Sequence, residues 1–283
     1  MTSRASAGVS AIRSVLLHLD ATPASAARLA LANSLAERHG ARLTALFGVR
    51  PDLDRTAFAY SAGAALRAAE GAEGTPRQLE WARLRDLFAG SRSGNLWCEV
   101  VGDTVTHAFL AEAIYADLLI LGQPVDAGTA GGAPPGFVES VILESGVPAI
   151  VLPPAHRLET IGSCVLLAWN GSAQAAGAMR AALPIMQRAE QVHVVSWAAL
   201  PPAAPCSRLD VATWLERHGI ASKVHLRPPS SGVADELASL AGQLGADLVV
   251  MGCYGHNRLR ERVFGGVTRS TLARLPVPVL MAH

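Results

Sequence analysis

The chain has 283 residues, enough for one large domain or two ordinary ones. Half of its residues are hydrophobic and 17% are charged, so it has the composition of a packed globular protein. Its net charge of +1 leaves no strong pull toward nucleic acid or an acidic membrane. No apolar run is long enough to span a bilayer, and residues 1–7 lack the apolar core of a signal peptide. A cytoplasmic protein is expected. Cys98, Cys164, Cys206 and Cys253 lie far apart, which predicts neither a zinc site nor a disulfide framework. Lys223 is the only lysine and follows no glycine-rich loop, which excludes a P-loop NTPase.

Taken in order, residues 14–20 read as a buried strand ending in Asp20, and 23–40 as an amphipathic helix with Gly40 as its C-cap. Strand 42–48 follows; residues 51–75 read as loop with some helix. Then come helix 76–89, strand 96–101, helix 105–116, strand 117–122 and strand 147–152. Pro148 marks that last segment as an edge strand or a strand start. Residues 153–162 read as a linker, after which the pattern restarts: strand 163–170, helix 172–188 interrupted near Pro184, and strand 191–197. Helix 209–218, strand 221–226, helix 232–244, strand 247–251, helix 267–274 and strand 277–281 complete it. Alternating strands and helices predict parallel sheets covered on both faces, with ligands at the carboxyl ends of the strands.

The two halves repeat. An offset of 130 aligns residues 116–122 with 246–252 and Val147-Pro148 with Val277-Pro278, without a gap. Register kept across a loop indicates internal duplication, with one domain over residues 1–155 and another over 156–283. The loops of the halves differ. In the second, Gly252 and Gly255 are followed by Gly265, Gly266, Val267 and Thr268 at the start of a helix. Glycines there admit close backbone approach, and free N–H groups at a helix start favour an anion such as phosphate. On spacing alone, an ordinary βα loop reads as well as a phosphate cradle. In the first half the aligned positions are Val125, Pro135 and Val138, so a nucleotide held by only one half belongs to the second.

The Gly252, Gly255 and Gly265 spacing, Tyr254-Gly255-His256, residues 264–269, residues 276–280 and residues 168–172 (Ala-Trp-Asn-Gly-Ser) together resemble the universal stress protein family in its tandem form. The resemblance implies two Rossmann-like domains of five parallel strands, similar to adenine nucleotide alpha hydrolases, whose last strands pair to make a pseudo-dimer. It also implies ATP, AMP or another adenine nucleotide in the second half, with Mg accompanying ATP left open. Gly252, Gly255 and Gly265 would line the phosphates with Gly266, Val267 and Thr268. Asn170 would take the place of the family's usual Asp near adenosine. Val194 or Val195, ending the second strand, would sit by the adenine, and Met251 would also line the nucleotide. Gly266 stands where a hydroxyl residue is expected, and Thr268 is the nearest substitute.

Around this loop, Arg258, Arg260, Arg262 and Arg269 read as a solvated face first and as phosphate contacts second, and His256 reads in the same two ways. His18 and His107 are expected to be packed residues, Cys253 a quiet small side chain, and Asp20 a structural group. No catalytic constellation and no Gly-x-Ser-x-Gly elbow occurs, so at most slow ATP hydrolysis is expected. The alternative to a nucleotide-binding regulator is a scaffold for an unknown protein partner, independent of nucleotide. A homodimer of the whole chain is left open.

Overall fold

The computed structural model describes residues 12–49, 76–92, 94–101, 105–124, 132–157, 159–197, 210–230, 232–253, 270–272 and 275–283. The first half contains β1 (Ser14–Leu19), α1 (Ala24–His39), β2 (Arg42–Val49), α2 (Pro76–Ala89), β3 (Leu96–Val101), α3 (Val105–Ala113), β4 (Leu118–Gly122), α4 (Phe137–Ser145) and β5 (Ala149–Leu152). The second contains β6 (Cys164–Ala168), α5 (Ala173–Ala181), α6 (Leu183–Met186), β7 (Gln191–Ser196), α7 (Val211–Arg217), β8 (Ser222–Leu226), α8 (Val233–Leu244), β9 (Leu248–Gly252) and β10 (Val279–Ala282).

These strands form one sheet in the order β3-β2-β1-β4-β5-β10-β9-β6-β7-β8. Every pairing within a half is parallel; β5 and β10 pair antiparallel, with Ile150 opposite Leu280. The last strands therefore join the halves, and the sheet is continuous. Pro148 precedes β5, which lies in the sheet's centre, so it marks a strand start and not an edge. Because it comes before the first ladder position, its missing N–H costs no sheet hydrogen bond.

Both faces of the sheet are covered, which is why the strands read as unbroken apolar runs. Val15, Leu17 and Leu19 of β1 join a core that includes Leu29 and Leu35 of α1, Met179 of α5 and Leu215 of α7. Leu16 joins the opposite core, with Phe109 of α3, Phe137 and Val141 of α4, and Leu237 and Leu240 of α8. Each fully buried leucine contributes roughly 1.5–3 kcal/mol. Helix α4 is an element to which the sequence reading assigned no structure. It runs for nine residues between two glycines at positive φ, Gly136 and Gly146.

The duplication extends to local chemistry. Asp117, just before β4, accepts hydrogen bonds from the Arg13 and Ser14 amides at 2.8 and 2.9 Å. Asp247, just before β9, accepts from the Gly162, Ser163 and Cys164 amides at 2.9–3.1 Å. Each carboxylate ties the entrance of its half's first strand to its fourth. Gly40 ends α1 in the left-handed conformation with the Ala41 amide bonded to Ala36, as expected of the C-cap. Pro184 breaks the helix expected over 172–188 into α5 and α6 and stands in the first turn of the second piece. Among the described residues no helix is long and apolar enough to cross a membrane.

Candidate functional site

The carboxyl ends of β1 and β4 in the first half, and of β6 and β9 in the second, are the switch points where a doubly wound sheet opens a crevice. Val15 and Val165 occupy the same ladder position, opposite Leu118 and Leu248. Counting from them, Asp20 and Asn170 stand at equivalent sites just beyond their half's first strand, one residue past β1 and two past β6. Their surroundings differ sharply.

In the first half Asp20 is buried, with four donors on one carboxylate oxygen. The Thr22 amide and hydroxyl reach its Oδ1 at 3.1 and 2.5 Å, the Ser25 hydroxyl at 2.8 Å and the Arg28 guanidinium at 2.6 Å. The side chains of Arg28 and Asp20 are only 5% and 6% exposed. The guanidinium lies directly against Gly122, where any Cβ would collide with it. Arg28 therefore fills the crevice from within. Burial alone would raise the Asp20 carboxyl; Arg28, then His18 and the two hydroxyls, outweigh it and hold it at about 2. His18 stands one turn of strand earlier between Phe109 and Phe137, with ring centroids 5.8 and 4.4 Å away. Its burial holds its pKa down at about 4, so the ring is neutral at pH 7. His18 and Asp20 are thus the packed and structural groups expected of them. His107 is not: it is exposed on α3, because its position faces away from the sheet.

In the second half no ion pair among the described residues occupies the corresponding place. Asn170 is exposed, and its Oδ1 accepts from the Ser172 amide at 3.1 Å. Ser172 caps α5 by accepting from the Ala175 amide at 3.1 Å. The first two turns of α5 carry Gln174, Ala175, Gly177 and Ala178, with no charged side chain before Arg180. Gly252 closes β9 directly beneath this helix start: a Cβ there would run into the backbone of Gln174 and Ala175. Close approach at Gly252 is thus made by the N-terminus of α5 itself. Among the described residues the crevice floor is a capped helix start carrying no countercharge, an arrangement that suits an anion.

The remaining expected residues divide between the described and undescribed parts of the chain. Val194 and Val195 are fully buried at the end of β7, with side chains in opposite cores, and the Val195 carbonyl accepts from the Trp169 amide at 2.8 Å. Any contact they make with a ligand is through backbone. Met251 is 6% exposed in the core beneath α8. Gly255, Gly265, Gly266, Val267 and Thr268 lie outside the described residues, as do His256, Arg258, Arg260, Arg262 and Arg269 and residues 51–75. Cys253 is buried, with its thiol on the Ala282 carbonyl at 3.3 Å, a quiet packed side chain. Among the described residues no group of three His, Cys, Asp or Glu side chains could hold a metal ion.

Two features escaped the sequence. Arg28 sits on the buried side of an amphipathic helix, where a leucine-like position gave no sign of an ion pair eight residues from Asp20. Gln123, just past β4, donates across the halves to the Leu275 carbonyl at 2.8 Å.

Fold and crevice together define a tandem doubly wound α/β protein whose first switch point is filled by a buried ion pair. Residues 165–283 match the universal stress protein family, and the first half of the chain repeats the fold of the second. A universal stress protein from Archaeoglobus fulgidus superposes with a TM-score of 0.67 at 17% identity, covering 95% of this chain and 97% of that one. A functionally unknown protein from Pseudomonas aeruginosa gives 0.58 at 17%, over 96% and 92% of the two chains. The cytoplasmic domain of a prokaryotic cation chloride cotransporter gives 0.50 at 9% identity, over 95% of each. At these identities the likeness is one of fold. No curated protein matches the chain.

Proposed function

We propose that this protein is a nucleotide-responsive regulator that holds one adenine nucleotide, ATP or a relative such as AMP, in its second half. The observation that carries this reading is the asymmetry of the two switch points. Arg28 and Asp20 fill the first, whereas among the described residues a capped helix start with no countercharge underlies the second. In this reading phosphates would lie over Gly252 against the segment from Gly255 to Thr268, whose backbone amides would supply the donors, with Mg beside ATP left open. Asn170 keeps its carboxamide N–H groups for ribose or base, since its oxygen is turned onto Ser172. Among the described residues no nucleophile–base pair accompanies the site, and the reading is binding and signalling, with hydrolysis slow at most.

Native mass spectrometry of freshly purified protein, followed by ATP titration of wild type and Gly265→Pro, tests this. One adenine nucleotide per chain, lost in the variant, is the expected result. Two per chain would refute closure of the first half. A second reading, a protein-binding scaffold independent of nucleotide, draws on one observation: packing of α5 already accounts for Gly252. Absence of any saturable nucleotide binding would favour it.

A further inference from the structure

The last turn of α1 meets the chain just past α6, where the two halves join. An offset of 150 relates these segments: it aligns Val15 with Val165 and carries through the buried pairs Leu35 and Ile185, Ala36 and Met186. By the same offset Arg38 is the counterpart of Arg188. The Arg188 guanidinium donates to the Arg38 carbonyl, and the Arg38 guanidinium donates to the Ile161 carbonyl at 2.8 Å. Equivalent residues in contact mark the pseudo-two-fold axis between the halves, so each half sends one arginine to it. His39 stands beside them, half-buried. Helix α1 has 16 residues and is about 24 Å long, and this turn lies at its far end from the Asp20 crevice.

The charge at this junction is unbalanced. A helix C-terminus carries roughly half a negative charge, against two guanidiniums that stay protonated. Glu37 and Glu190, the acidic residues nearest in sequence, are exposed. Among the described residues neither arginine has a carboxylate within ion-pair distance. The imidazole registers the excess: burial, then Arg188 and Arg38, hold the pKa of His39 down at about 4. Both arginines are exposed, and one carbonyl occupies a single nitrogen of each, out of the five N–H donors of a guanidinium. The junction therefore offers donors from each half, excess positive charge, and an imidazole that adds another donor when it takes up a proton.

We infer that this junction is a binding site for a free divalent oxyanion, inorganic phosphate or sulfate, held by Arg38 from the first half and Arg188 from the second with His39 beside them. The inference is independent of the nucleotide reading above and concerns a different end of the molecule. Because the anion takes one arginine from each half, its binding braces the halves across their axis.

Proton NMR of the histidine rings tests it, with the full chain titrated in pH in sodium sulfate and in sodium chloride at matched ionic strength. Sulfate stays divalent throughout, and His39→Gln assigns the resonance. An anion within about 4–6 Å favours the imidazolium, so saturating sulfate should raise the His39 midpoint by about one to three pH units, and chloride should not. Arg38→Gln and Arg188→Gln, with circular dichroism reporting their folds, should each raise the midpoint in chloride, since a neighbouring charge is gone. Each should also weaken sulfate binding about 10- to 100-fold, the loss of one charge-assisted contact. Inorganic phosphate at pH 7 should shift the same resonance saturably, and the same variants should weaken that response. A midpoint that moves equally in chloride, or sulfate bound by both variants with wild-type affinity, would overturn the site.

Discussion

Arg28→Met tests the closed first half most directly. Methionine keeps the length of the side chain and much of its volume, but removes the charge and every donor. Asp20, with its side chain 6% exposed, would keep the Thr22 and Ser25 donors and lose its countercharge. Breaking a buried pair by removing one partner costs roughly 3–5 kcal/mol, because the remaining charge is left desolvated. The titration of Asp20 gives an independent figure. At about 1.4 kcal/mol for each tenfold change in proton affinity, the fall from 3.8 to about 2 corresponds to roughly 2.5 kcal/mol. This value is smaller because it is already net of the burial penalty on the carboxylate. The folded pKa lies below the unfolded one, so this stabilisation is complete above pH 3.8 and is lost as pH falls toward 2. Denaturant unfolding at pH 7 should show Arg28→Met less stable by about 3–5 kcal/mol. Arg28→Met combined with Asp20→Asn should recover part of that loss, since a carboxamide carries no orphaned charge. A single variant within about 1 kcal/mol of wild type, or a double variant no more stable than the single, would refute the account of a charge pair closing the crevice.

Three further outcomes follow from the same structure. His18 stays neutral down to about pH 4 when folded but takes up a proton near 6.5 when unfolded, so stability should fall by up to about 3 kcal/mol between those values. His18→Phe, which keeps a ring between Phe109 and Phe137, should flatten that dependence; an unchanged slope in urea titrations at pH 7, 5.5 and 4 would exclude His18 as its source. Gly252→Ala should cost about 1–3 kcal/mol because its Cβ meets the Gln174 and Ala175 backbone, and should weaken ATP binding by displacing the α5 start. Gly177→Ala, where a Cβ meets nothing within 4 Å, should instead stabilise α5 by about 0.5–1 kcal/mol, and thermal denaturation of the pair separates crowding from a general glycine effect. Ser172→Ala removes the side-chain cap of α5 and should lower stability by about 1 kcal/mol, whereas Ser172→Asp should preserve it.

The sequence by itself determined the elements and their duplication. Strand and helix periods, Gly40 as a cap, the interruption at Pro184 and the offset of 130 are local or repeated signals, and each records a backbone constraint that needs no distant partner. The same reading marked the carboxyl end of β9, because an apolar run ending in Gly252 lies within one stretch of chain. It could not show what fills the first-half crevice. Arg28 looks like any polar residue on a helix until folding brings it 2.6 Å from Asp20 and over Gly122, nearly a hundred residues further on. Nor could it show why Gly252 is glycine, since the obstructing atoms belong to the backbone of Gln174 and Ala175. The same holds for Arg188, which folding brings onto the Arg38 carbonyl 150 residues away. Periodicity and spacing report what a residue does to its own segment; ion pairs, close approach and converging charges depend on distances between segments, and only packing sets those.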